Sequence, residues 1–84
     1  MIYWNYRVVR KAYPPGADGT IEHVLGIHEV YYDDDGKPEM VTENRMDAHG
    51  ETLDELRTDL RWMMEALDKP VLEYDEIGGK EQPK

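Results

Sequence analysis

The sequence predicts an α+β fold: a three-stranded antiparallel sheet with one helix packed on a face and a short fourth strand, in the order β-β-β-α-β. Three observations carry this prediction. Residues 2–10 alternate between two faces, as a half-buried strand does. Asp33-Asp34-Asp35-Gly36 separates two strand-like runs, and Asp-Gly in that place signals a hairpin. Thr52 and Glu55 have the spacing of a capping box, with an apolar stripe at helical period behind them.

In the first strand Ile2, Trp4, Tyr6 and Val8 point one way, and Tyr3, Asn5, Arg7 and Val9 the other. Tyr13-Pro14-Pro15-Gly16-Ala17-Asp18-Gly19 follows as a turn-rich loop. Ile21 to Tyr32 is rich in β-branched and aromatic residues and reads as a long second strand. Its apolar residues change parity midway, from Ile21, Leu25 and Ile27 to Val24, Val30 and Tyr32, so a bulge near Gly26 is expected. Pro38 to Glu43 is the returning strand, with Pro38 at its start, where a missing N–H costs little.

The helix begins at the Thr52 cap. Leu53, Leu56, Leu60, Met63, Met64 and Leu67 are expected to form its buried face, and Lys69-Pro70 stops it. Val71 to Tyr74 reads as the brief fourth strand. One domain over residues 1–74 and a flexible tail over 75–84, rich in glycine and charge, complete the prediction.

With 84 residues the chain has room for one modest core, which self-association would help. Cysteine is absent, which removes disulfides, a thiolate nucleophile and a cysteine zinc site, and fits a reducing cytoplasm. Met1-Ile2-Tyr3-Trp4-Asn5-Tyr6-Arg7 lacks a basic segment followed by an apolar run, so no signal peptide is expected. No run approaches the ~18 apolar residues of a membrane span. The net charge is −9, and Arg7, Arg10, Lys11, Arg57 and Arg61 are scattered along the chain. A phosphate backbone repels such a chain, so direct nucleic-acid binding is disfavoured and basic protein partners are favoured.

Few residues suggest chemistry. Placing Gly36 at the sixth position of a calcium loop puts Tyr31 at the first and Thr42 at the twelfth, where carboxylates are needed, so the aspartates read as a solvated turn. His23 and His28 lie five apart in one strand and face opposite sides of a regular ladder; a bulge at Gly26 would realign them for a metal. Glu22, Glu29, Glu39 and Glu43 supply carboxylates, but nothing around them defines a cleft or raises a pKa. No nucleophile elbow or phosphate-binding glycine loop is present, so no enzyme, cofactor or metal is expected.

Trp62 stands apart. At about 100° per residue it lies nearly opposite Leu60, on a side shared with Glu55, Thr58, Asp59, Glu65 and Ala66. A tryptophan there either contacts a partner or is covered by the chain's own tail through Ile77. The expected partner-binding residues are Trp62, Glu55, Asp59 and Ala66.

The cap-plus-helix motif Gly50-Glu51-Thr52-Leu53-Asp54-Glu55-Leu56, after three strands and before a short fourth, resembles the HicB family of antitoxins. In that family Gly-x-Thr-x-x-Glu followed by a small or apolar residue marks the helix start of a β-β-β-α-β core. The likeness spans residues 2–74 in topology and 50–67 in motif. It implies a cytoplasmic module that binds and masks a small basic RNA-cleaving toxin, often as an oligomer. Asn44-Arg45-Met46-Asp47-Ala48-His49 replaces the Pro-rich, Gly-containing segment that usually precedes the helix. The alternatives are a homo-oligomer built on the Trp62 face, and a small ligand- or metal-binding module using His23, His28 and nearby glutamates.

Overall fold

The computed structural model describes residues 3–13, 19 and 21–80. The chain is α+β, as its patterning predicts. Its elements are β1 (Tyr3–Tyr13), β2 (Glu22–Tyr32), β3 (Pro38–Val41), α1 (Leu53–Ala66), β4 (Leu72–Glu73), a 3-10 turn (Tyr74–Glu76) and β5 (Gly79–Lys80). The sheet order is β4-β1-β2-β3-β5. β1 and β2 pair antiparallel over their full length, from Tyr3 opposite Tyr32 to Tyr13 opposite Glu22. β3 continues the antiparallel meander, while β4 and β5 add in parallel at the two edges. Ile2 and most of the Tyr13–Gly19 loop lie outside the described residues.

The β2–β3 hairpin is built on Asp33. Its carboxylate accepts from the N–H groups of Asp35 and Lys37, both at 2.9 Å, and Gly36 takes the positive φ (80°) that closes the turn.

The bulge expected near Gly26 is absent. The β1–β2 register runs through it unbroken, and the one irregularity lies between Tyr31 and Tyr32 on the β3 side. The change of parity in β2 has another cause: both faces of the sheet carry a core. On one face Tyr6 and Val8 pack with Met63 and Ala66, joined by Ile27, Met46 and Ala48. On the other Val9, Val30, Tyr32, Val41 and Ile77 form a second cluster, flanked by Leu72 and Tyr74. A strand covered on both sides does not alternate. With the ladder regular, His23 and His28 fall on opposite faces. Gly26 is there for space: a Cβ would stand 3.0 Å from that of Arg45, where the chain after β3 passes.

The tail expected to be flexible from residue 75 is part of the fold as far as Lys80. Ile77 is 4% exposed, and β5 pairs with Met40 and Val41 of β3. After α1 the chain pairs with the β1 edge, lays its 3-10 turn and Ile77 on the second face, and reaches the β3 edge. Arg7 anchors the start of this strap, donating from Nη2 to the Pro70 carbonyl at 2.7 Å and from Nη1 to the Tyr32 hydroxyl at 3.1 Å. Residues 81–84 lie outside the described residues.

His28 is 1% exposed under the strap, its Nδ1 2.9 Å from the Thr42 carbonyl oxygen. Burial holds its pKa below the ordinary imidazole value; the Lys11 and Arg45 charges push the same way and the Thr42 contact opposes. The unfolded chain therefore takes up a proton that the folded chain resists. The resulting stability is present above the unfolded imidazole value of about 6.5 and is lost as pH falls from there toward the folded one. The urea midpoint is expected to drop between about pH 7.5 and 5.5, and to drop less in His28→Gln. Equal drops in both proteins would remove His28 as the cause.

Candidate functional site

Helix α1 presents three distinct surfaces, and its cap sets them. The Thr52 hydroxyl accepts from the Glu55 N–H at 3.1 Å. The Glu55 carboxylate reaches back to the N–H of Glu51 at 3.3 Å, one residue earlier than the capping-box pattern has it. Gly50 lies against this first turn, where a Cβ would fall 2.5 Å from the Leu56 nitrogen and 2.7 Å from the Glu55 Cβ. Backbone lies that close, so only glycine fits, and the loop 44–50 is held tightly onto the helix start.

The surface facing the sheet is Leu56, Asp59, Met63 and Ala66. This corrects the expected stripe. Of its six members, Met63 is buried and Leu56 half-buried, while Leu53, Leu60, Met64 and Leu67 are exposed. The physical reason is a polar contact on the sheet. Tyr6 points its hydroxyl at the helix and donates to Asp59 Oδ1 at 2.6 Å. The His49 backbone N–H donates to Asp59 Oδ2 at 3.1 Å, so both carboxylate oxygens are satisfied. Ala66, one turn further on, is 1% exposed and small enough for a close approach to β1. Burial and the adjacent carboxylate hold the Tyr6 hydroxyl in its protonated form far above neutral pH. This arrangement is a strut: Asp59 has no lone oxygen facing a reactant.

Two of the expected partner-binding residues are thereby withdrawn from the surface. Asp59 and Ala66 lie beneath the helix, whereas Glu55 and Trp62 are exposed. Ile77 does not cover Trp62, because it packs on the opposite face of the sheet.

The second surface is the row left in solvent, Leu53 (69% exposed), Leu60, Met64 (67%) and Leu67 (65%), with Val71 beyond the helix end. The third, about 180° around from that row, carries Trp62. Trp62 faces the beginning of β1 across a cleft of about 360 Å³ lined by Tyr3, Trp4, Tyr6, Trp62, Glu65 and Lys69. No family model, curated protein or solved structure matches the chain. The three surfaces of α1 are therefore read from their own chemistry. Among the described residues no group of three His, Asp or Glu side chains gathers to hold a metal ion. Neither the leucine row nor the cleft was visible to sequence reasoning as a site; the pairing of Trp4 with Trp62 needs the β1–α1 packing to bring them together.

Proposed function

We propose that this chain is a non-enzymatic protein–protein interaction domain, HicB-like in build, that masks a basic partner. The observation that supports it is the exposed row Leu53, Leu60, Met64 and Leu67 on a helix already anchored on its other side. These side chains leave an apolar row in solvent along one side of the helix, and the largest apolar patch of a small monomer is often functional. Their three- and four-residue spacing suits a groove or a second helix. The net charge of −9 favours a basic partner by steering encounter, while the buried leucines set the lifetime of the complex. Among the described residues no helix is long and apolar enough to cross a membrane, and the proposed setting is the cytoplasm.

The test is a pull-down from native lysate, wild type beside Leu60→Glu, read by mass spectrometry at two salt concentrations. A small basic protein retained by the wild type, released by salt and lost with Leu60→Glu is the expected result. Leu60 is half in solvent, so the variant is expected to keep its fold, which circular dichroism checks. Capture by both proteins alike would overturn the assignment of the row.

A second reading rests on the seven-residue steps between Leu53, Leu60 and Leu67, which make the row complementary to itself in an antiparallel helix pair. It predicts a dimer in light scattering that Leu60→Glu converts to monomer.

A further inference from the structure

We propose that the cleft between the start of β1 and the Trp62 flank of α1 binds a small molecule through a methylated ammonium group. The cleft is independent of the leucine row, which lies on the opposite side of the helix.

Its walls are aromatic. The Trp4 and Tyr6 rings meet edge to face with centroids 5.3 Å apart, Tyr6 buried as the floor and Trp4 part-exposed beside it, and Trp62 lines the side offered by α1. Trp62 is 52% exposed, and among the described residues no ring stacks on it, so a large π-surface is left open to a ligand. Among the described residues the cleft also lies where the β1 edge has no partner strand, since β4 pairs only with Val9 and Arg10. Its volume of about 360 Å³ is at the small end for ligand pockets, suited to a head group of a few heavy atoms.

The charges decide what kind of group enters. Glu65 lines the cleft and has no ion pair among the described residues. The Tyr6 hydroxyl donates to the Asp59 carboxylate, and a phenol donating to a carboxylate has a more electron-rich ring. Phosphates and other simple anions meet Glu65 as well as Lys69 here and gain nothing from the ring faces. A neutral apolar ligand would gain contact with the rings while desolvating Glu65 for nothing. A bare ammonium is held too strongly by water. A methylated ammonium keeps the charge, sheds most of that hydration and offers methyl groups to the ring faces. Lys69, which lines the cleft one helical turn beyond Glu65, can meet an anionic group on the far end of a zwitterion.

The chain has two tryptophans, and both line the cleft, so intrinsic fluorescence reads it directly. Choline, glycine betaine and 3,3-dimethyl-1-butanol, the neutral isostere of choline, are titrated in turn. The expected result is a saturable change with the two cations in the micromolar to millimolar range, and at least about tenfold weaker binding of the isostere. Glu65→Gln should weaken the cations several-fold and leave the isostere unchanged. In Trp62→Ala the remaining Trp4 should report no saturation. Betaine binding tighter than choline in the wild type, with the difference lost in Lys69→Met, assigns a zwitterion; equal affinity assigns a simple ammonium compound. No saturation by either cation up to about 50 mM, or an isostere that binds as tightly as choline, overturns the proposal. Neither outcome bears on the partner pull-down, because Leu60→Glu leaves the cleft untouched.

Discussion

Asp59→Ala is expected to remove about 3 kcal/mol from the stability of the fold, a large share of the 5–15 kcal/mol typical of a small domain. The variant leaves the buried Tyr6 hydroxyl and the His49 N–H without the acceptors they have at 2.6 and 3.1 Å. Hydrogen bonds to a charged acceptor contribute more than neutral ones, and stranded donors add their own desolvation cost. Tyr6→Phe removes one of the two donors and is expected to cost less, because Asp59 keeps the His49 contact. Combining Tyr6→Phe with Asp59→Ala in urea denaturation gives the coupling between them, expected at about 1 kcal/mol or more. Additive losses would mean that the Tyr6 contact contributes nothing to holding α1 on the sheet.

Ile77→Ala is the second large effect, also about 3 kcal/mol, as for other fully buried aliphatic side chains cut back to alanine. Ile77 is 4% exposed among Val9, Val30, Tyr32 and Val41, immediately after the 3-10 turn. Its loss should also be felt at a distance. Amide exchange at Met40 and Val41 is expected to accelerate, because β5 is held beside β3 by the same segment. A melting temperature unchanged by Ile77→Ala would mean that the strap is not fastened to the second face.

The strands were legible because their signals are local. The alternation of Trp4, Tyr6 and Val8, the turn chemistry of Asp33 and Gly36, and the Thr52 cap each act over a few residues, and each reappears in the structure. The rotation of α1 was not legible. Hydrophobicity alone ranks Leu60 and Met64 above Asp59 and Ala66 for burial, yet the reverse holds. What turns the helix is a hydroxyl on another element, fifty-three positions away in sequence. One signal was available: a tyrosine on the helix-facing side of β1 needs an acceptor when buried. The strap was hidden for a similar reason. A single isoleucine among glycines and charges carries no periodicity, and its partner surface exists only once three strands are assembled. The aromatic cleft is likewise a product of assembly, drawing Trp4 and Trp62 together from opposite ends of the chain.

The strap also has a place in time. Leu72–Lys80 follows in sequence every element that it covers. During synthesis, at roughly 5–20 residues per second, the first three strands and the helix leave the ribosome before it does. For that interval Val9, Val30 and Val41 face water and both outer strands are unpaired, the condition under which one nascent chain can pair with another. Docking of Leu72–Lys80 onto the assembled strands is therefore the step that ends this exposure, covering the second face and pairing both outer strands at once.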